Sequence, residues 1–234
     1  MPTNLPLLSN DYFDPASLKQ RLRSDDIRAV PVYALGPAGT NLQQASQKWI
    51  KAMEIEKKSE ITLCPTPEIS VERAQEVSEP GIVPIFALCA VYFSLCRLYF
   101  KHGSNYTFLS HLYAPLDEMQ LASHHNSLNE LAPNAKIATH VSPASLLDDT
   151  AYERVIVNSN SEAARRCAAG DVDACITTES ARKIYGLKRN FLFGSPSMLF
   201  TFGTTRHGVE ELKRGMDPSS LTANPGGSWG VFVP

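Results

Sequence analysis

The sequence predicts an α/β protein with largely parallel sheets, divided into two lobes that the chain crosses between twice. Three observations predict it. From Ala29 onward, short apolar runs alternate with stretches of helical periodicity, as strands joined by crossover helices do. The alternation breaks around residues 104–116, where Tyr106, Phe108, Leu112 and Tyr113 lie in extended-looking chain. It breaks again near Gly186-Leu187, and two breaks bracketing a middle block describe one lobe inserted into another.

The elements follow in order. Residues 1–28 are a polar, proline-punctuated N-terminal extension with one helix from Pro15 to Arg23. Strands are expected at 30–35, 60–64, 81–85, 106–112, 118–122, 136–139, 153–157, 173–177 and 198–203. Helices are expected at 41–57, 67–77, 86–100, 142–149, 160–169 and 178–185. Leu42, Ala45, Trp49 and Met53 fall roughly on one face of the first long helix. Gly170 and Gly186 stand as helix stops. The first lobe then takes 29–108 and 187–203, the second takes 109–186, and 204–234 is a C-terminal tail. Pro218, Pro225 and Gly226-Gly227 make that tail read as loop.

Composition narrows the function classes. The 234 residues suffice for one large domain or two small lobes with proper cores. A net charge of −2 gives no electrostatic footprint for nucleic acid or an acidic membrane surface. Five widely spaced cysteines without a C-x-x-C pair read as reduced thiols of a cytoplasmic protein. The start MPTNLPLLSNDYFDP lacks the basic and apolar regions of a signal peptide. Residues 81–100, GIVPIFALCAVYFSLCRLYF, are long and apolar enough to raise a membrane span. Pro84 and Arg97 argue against it, and a buried strand running into a core-facing helix is expected instead. The six scattered histidines have no metal-site spacing, and neither metal nor cofactor is expected.

Candidate binding residues lie where strands run into helices. LGPAGTN, residues 35–41, ends an apolar run in a glycine-rich turn and a polar helix start. It is either an anion seat, using unsatisfied N–H groups at a helix N-terminus, or a tight connection capped by Thr40 or Asn41. It is not a nucleotide loop, because it lacks the Walker lysine and the G-x-G-x-x-G spacing. Two further turns, Asn158-Ser159-Asn160-Ser161 and Thr177-Thr178-Glu179-Ser180, also place short polar side chains at helix starts. Ligands of doubly wound sheets sit off the carboxyl ends of strands, so three such turns suggest one site.

LGPAGT, GIVPI, ATHVSPASLL, NSNSEAARRCAAGDVDACITTESARKIYGL and GSPSMLFTFG occur in the order and spacing of the prephenate dehydratase family. The resemblance covers roughly residues 29 to 203. It implies a two-lobed fold of the type II periplasmic-binding-protein kind, with prephenate in the cleft between lobes. Two departures bear on chemistry. The family's Thr-Arg-Phe is Phe200-Thr201-Phe202 here, and its Glu-Asn-Ser after the G-[IV]-V-P-I motif is Phe86-Ala87-Leu88. No ACT-type regulatory domain is expected either. In these respects, and in Thr178-Glu179-Ser180-Ala181-Arg182 with Tyr185-Gly186-Leu187, the chain resembles the non-aromatising prephenate decarboxylases of bacilysin-type antibiotic pathways.

That resemblance implies removal of the ring carboxylate while the ring hydroxyl stays, giving dihydro-4-hydroxyphenylpyruvate. Phe86, Leu88, Leu199, Phe200 and Phe202 are candidates for an apolar surrounding that favours loss of carbon dioxide. Gly39, Thr40 and Asn41 are assigned to a carboxylate seat, with Asn158, Ser159, Asn160, Thr177 and Thr178 facing it. His140, Ser142, Phe200 and Thr201 are the catalytic candidates, His140 as a proton donor or as a plain strand-end histidine. Thr40→Ala is expected to harm substrate use more than stability. A dehydratase with another acid, or an inactive small-carboxylate binder, are the alternatives. Prephenate is the expected partner, with no nucleic acid or membrane, and a homodimer is among the assemblies the sequence allows.

Overall fold

The computed structural model describes residues 13–92, 94–102, 105–214 and 231–232. Strands β1 (Val32–Leu35), β2 (Ile61–Cys64), β3 (Ile85–Cys89), β4 (Tyr106–Pro115), β10 (Ser197–Thr205) and β11 (Val231–Phe232) form one sheet, ordered β11-β4-β10-β3-β1-β2. Strands β5 (Met119–Ser123), β6 (Lys136–His140), β7 (Glu153–Val157), β8 (Ala174–Thr178) and β9 (Lys188–Gly194) form the other, ordered β7-β6-β8-β5-β9. The helices are α1 (Pro15–Arg23), α2 (Asn41–Met53), α3 (Pro67–Glu76), α4 (Leu95–His102), α5 (Asn160–Ala168), α6 (Glu179–Ile184) and α7 (Arg206–Lys213).

The α/β class is as expected, but the sheets are mixed rather than largely parallel. β1 runs parallel to β2 and β3, and β6 parallel to β7 and β8. β10 is antiparallel to β3 and β4, and β5 to β8 and β9. These antiparallel members flank the crossings: β4 leads into β5, and β9 returns into β10. The two connections meet where the Leu116 N–H donates to the Pro196 carbonyl at 2.9 Å.

The crossings therefore differ from those expected near 109 and 187. β4 belongs to the first sheet through Pro115, and β9 pairs with β5 in the second. Gly186, at φ 66°, only ends α6, so the turn signal there marks a helix stop and not a change of lobe. β9 escapes sequence reading because it is a mostly exposed edge strand with little apolar alternation.

Two further elements differ. Phe86, Ala87 and Leu88 continue β3, and α4 starts only at Leu95. β3 is buried on both faces in the sheet interior, and a continuous apolar run does not distinguish such a strand from a buried helix. The segment expected as a helix at 142–149 keeps one 3₁₀ turn, Ala144–Leu147. The tail contains α7, capped by the Thr205 hydroxyl accepting from the Gly208 N–H; Pro218, Pro225 and Gly226-Gly227 lie outside the described residues. Among those residues no helix is long and apolar enough to cross a membrane, and all five cysteines are free thiols.

Residues from Phe13 onward in the expected extension are part of the first core, while the rest of the signal-peptide reading falls on residues outside those described. Asp14 caps α1, and Leu18, Leu22 and Ile27 pack with Trp49, Met53 and Phe202. Trp49 stacks on Phe202 at 4.8 Å and donates through its indole N–H to Ser110. On the other face of the sheet Phe86 packs edge-on to Tyr106 and Phe108. A Cβ at Gly203 would fall on the fully buried Phe86 ring, so this close approach needs a glycine. Gly203→Ala is expected to cost about 1–3 kcal/mol through overpacking. An unchanged denaturation midpoint would contradict that packing.

Candidate active site

The two sheets leave a cavity of about 520 Å³ between them, within the range of small-molecule sites. It is built on strand ends. β1 ends at Leu35, and the Gly36–Gly39 turn delivers Thr40 as the N-cap of α2. Gly39 has φ 87°, and a Cβ there would meet Ile184 Cδ1 at 2.9 Å and Ser161 Oγ at 3.4 Å. The turn thus presses against α6 and α5 of the opposite lobe and does not itself line the cavity.

Thr40 lines the cavity, but its hydroxyl is spent on its own loop. It donates to the Leu35 carbonyl at 2.7 Å and accepts from the Gln43 N–H at 3.2 Å. The Gly39 N–H is likewise taken by Gln43 Oε1 at 2.8 Å. The expected outcome for Thr40→Ala therefore reverses: about 1 kcal/mol of stability is lost with the cap, and substrate use changes little. Thermal melts and kinetics on the same variant check this. Asn41 is better placed. Its Oδ1 accepts from the Asp117 N–H at 2.9 Å, which turns the amide NH₂ into the end available to a ligand.

The second lobe supplies Asn158, Ser159 and Asn160 where β7 runs into α5. Ser159 caps that helix by accepting from the Glu162 N–H at 3.0 Å. Asn160 holds Nδ2 3.7 Å from Met119 Sδ, while its buried Oδ1 has no hydrogen-bond partner. The first turns of α2 and α5 thus bring two helix N-termini to one cavity, where backbone N–H groups favour an anion.

Thr177 and Thr178 are not cavity residues. Both are fully buried; Thr177 donates to the Asn160 carbonyl at 2.8 Å, and Thr178 caps α6 while reaching the Gly39 carbonyl at 3.5 Å. They support the wall behind the site. Phe86, Leu88 and Phe202 are also fully buried in the cores. Along β10 successive side chains alternate in facing, so Met198 and Phe200 line the cavity while Leu199 and Thr201 do not. Thr201 keeps its buried hydroxyl without a hydrogen-bond partner. Of the apolar candidates, Phe200 alone reaches the cavity.

His140 and Ser142 do line it. The Ser142 N–H donates to His140 Nδ1 at 3.3 Å, which leaves the ring proton on Nε2. Burial pushes the His140 pKa below its ordinary value, so the ring is neutral near pH 7. The Ser142 hydroxyl donates to the Val91 carbonyl of the first lobe at 3.2 Å, so it ties the lobes together rather than facing a ligand.

Several lining residues went unseen in the sequence: Cys89, Val91, Tyr92, Leu116, Met119, Val141, Leu146 and Met198. Cys89 and Tyr92 were legible in principle, since they lie at and just beyond the carboxyl end of a central strand. The Tyr92 hydroxyl donates to Glu68 at 2.6 Å, and burial, then that carboxylate, raise its pKa. The lining described contains no Asp, Glu, Lys or Arg. Among the described residues no group of three or more His, Cys, Asp or Glu side chains is placed to hold a metal ion.

No family model matches the chain. A curated relative is the prephenate decarboxylase of Bacillus subtilis (strain 168), 26% identical over 178 residues, which span 73% of this chain and 85% of the relative. The resemblance to the prephenate dehydratase family stands. The solved prephenate dehydratase of Staphylococcus aureus Mu50 superposes with a TM-score of 0.51 at 11% identity, covering 74% of this chain and 66% of the dehydratase. The periplasmic VFT2 domain of Bordetella pertussis BvgS superposes with a TM-score of 0.50 at 16% identity, covering 90% and 96% of the two chains. At those identities both show the fold alone, a two-lobed α/β arrangement of the periplasmic-binding-protein kind, which the dehydratase-like chain shares.

Proposed function

We propose that this chain is a non-aromatising prephenate decarboxylase. The observation that carries the reading is the cavity lining: apolar walls, neutral amides and two helix N-termini, without a carboxylic acid or a cationic side chain. The named decarboxylase relative supports it. Cytoplasmic location, a role in antibiotic or other secondary metabolism, and dihydro-4-hydroxyphenylpyruvate as product belong to the same proposal.

The chemistry turns on where one electron pair goes. When the bond to the ring carboxylate breaks, its pair forms a new double bond to the neighbouring ring carbon. The displaced π pair then has two outlets. It can expel the hydroxyl two bonds further on, which aromatises the ring and needs an acid on the leaving oxygen. Otherwise it takes a proton on carbon, and the carbinol survives. A wall of Leu35, Val91, Met198 and Phe200 around the ring carboxylate favours loss of neutral carbon dioxide over retention of the anion. With no carboxylic acid in the lining, hydroxyl loss goes unassisted. The pyruvyl carboxylate is seated by Asn41, Asn158, Asn160 and the helix N-termini behind them. Neutral His140 adds a donor through Nε2.

Incubation with prephenate near pH 8, followed by NMR, tests the reading. Carbon dioxide with a retained carbinol signal is expected. Aromatic phenylpyruvate would make the chain a dehydratase, and unchanged prephenate a carboxylate binder. The pH profile adds a second check. His140 acts in its neutral form, and burial holds its pKa below the ordinary 6.5. So kcat/KM should be level from pH 7 upward through 8 and fall only below 6.5, as protonation removes the acceptor for the Ser142 N–H. His140→Gln, which retains an acceptor and a donor, should flatten that acid limb. An unmoved limb would assign it to another group.

A further inference from the structure

The reaction proposed above needs a proton delivered to a ring carbon, and we infer that the donor is the Cys89 thiol. The inference rests on that reading of the site and names a residue it left unassigned. Cys89 is the last residue of β3 and lines the cavity. In the antiparallel ladder with β10 it is paired directly with Phe200. Directly opposed residues share a face with Cβ atoms roughly 4.5–5.5 Å apart, so sulfur and phenyl ring stand side by side on the apolar wall. The Cys89 sulfur therefore lies on the apolar wall against which the proposed function sets the ring carboxylate.

The other protons in the lining are committed or too weakly acidic. Thr40 donates to the Leu35 carbonyl, Ser142 to Val91 and Tyr92 to Glu68. His140 carries its proton on Nε2 as a neutral ring, and neutral imidazole is a far weaker acid than a thiol. Burial raises the Cys89 pKa, against the Val91 N–H that works the other way, which keeps the sulfur protonated at pH 7–8. A thiol also suits the partition between outlets. It is acidic enough for a carbanion-like carbon and far too weak to help hydroxide leave the carbinol. The step balances. The carbon–carboxylate bond breaks to release carbon dioxide, its pair makes the new ring double bond, and the displaced π pair takes the proton from sulfur. Water then returns a proton to the thiolate, so one solvent proton is consumed per turnover.

The test compares the wild-type protein with Cys89→Ala and Cys89→Ser in D₂O, with prephenate as substrate. Wild type is expected to place deuterium on a single face of the ring carbon beside the carbinol. General-acid groups typically supply 10²–10⁴-fold. Cys89→Ala should accordingly lower kcat by about a hundredfold or more. Its KM and melting temperature should stay near wild type, and its residual product should carry deuterium on both faces. Cys89→Ser, nearly isosteric, should fold normally and share the loss of rate, because an aliphatic hydroxyl is a weaker acid than a thiol. Full rate with single-face labelling in either variant overturns the assignment and leaves the decarboxylase reading intact. Wild type that releases no carbon dioxide from prephenate overturns that reading, and this assignment with it.

Discussion

Phe200→Asp is expected to abolish decarboxylation. Phe200 closes the apolar wall from β10, beside Cys89 and Met198. A carboxylate there meets the ring carboxylate of the proposed substrate in a partly desolvated cleft. Two like charges about 4 Å apart at an effective dielectric near 20 repel by about 4 kcal/mol. That corresponds to roughly a thousandfold in kcat/KM. If the new acid is protonated, it also supplies what the lining lacks, an acid for the leaving hydroxyl. Residual turnover at low pH should therefore include aromatic product, read at the absorbance of phenylpyruvate in base. Phe200→Leu keeps the wall apolar and should stay within about tenfold. Equal activity of the aspartate and leucine variants would place the reacting end of the substrate elsewhere.

Arg21→Ala is expected to produce the largest loss of stability. The guanidinium is 6% exposed and bonds to four groups. It donates to the carbonyls of Leu212 and Glu211, both at 2.7 Å, and to Ser24 Oγ and Asp26 Oδ1, both at 2.6 Å. Those two carbonyls belong to the last turn of α7, where helix geometry provides no internal partners and the dipole favours a cation. Removing the side chain strands them in the core and unpacks the Arg21 stem. A cost of about 3 kcal/mol follows. For a domain of this size that means roughly 6–12 °C in Tm. Arg21→Lys has one ammonium where the fork reaches four acceptors, and should recover only part of it. A melting shift under about 2 °C in the alanine variant would show that α1 and α7 hold together without it.

Local chemistry was legible in the sequence where it acts over a few residues. α1 begins at the Asp14-Pro15 signal, and the hydroxyl turns at Thr40, Ser159 and Thr178 cap α2, α5 and α6. What the caps do with their hydroxyls was not legible, because an N-cap and an anion donor look identical in sequence. Thr40 and Ser159 reach the cavity while Thr177 and Thr178 stand behind it, fully buried and bonded to the Asn160 and Gly39 carbonyls, contacts that only the assembled fold makes. The β3–α4 boundary was hidden for another reason: a strand buried on both faces has no period of two to read. β9 failed in the opposite direction, being an exposed edge. The cavity's apolar wall combines β3, β10 and both crossings, so its membership depends on pairings between residues over a hundred positions apart.

The paired crossings carry a consequence for how such a molecule is assembled and reassembled. The whole second sheet lies on one uninterrupted stretch of chain, β5 to β9, whose two ends meet at the 2.9 Å bond between Leu116 and Pro196. It is therefore a cassette with adjoining ends. A gene segment encoding residues 117–195 can be exchanged for the matching segment of a homologue with only two junctions, both in the connections between the sheets. Such a chimera would carry one parent's Asn41 and apolar wall against the other's Asn158–Asn160 turn. Recombination could thus pair the two halves of the cleft independently.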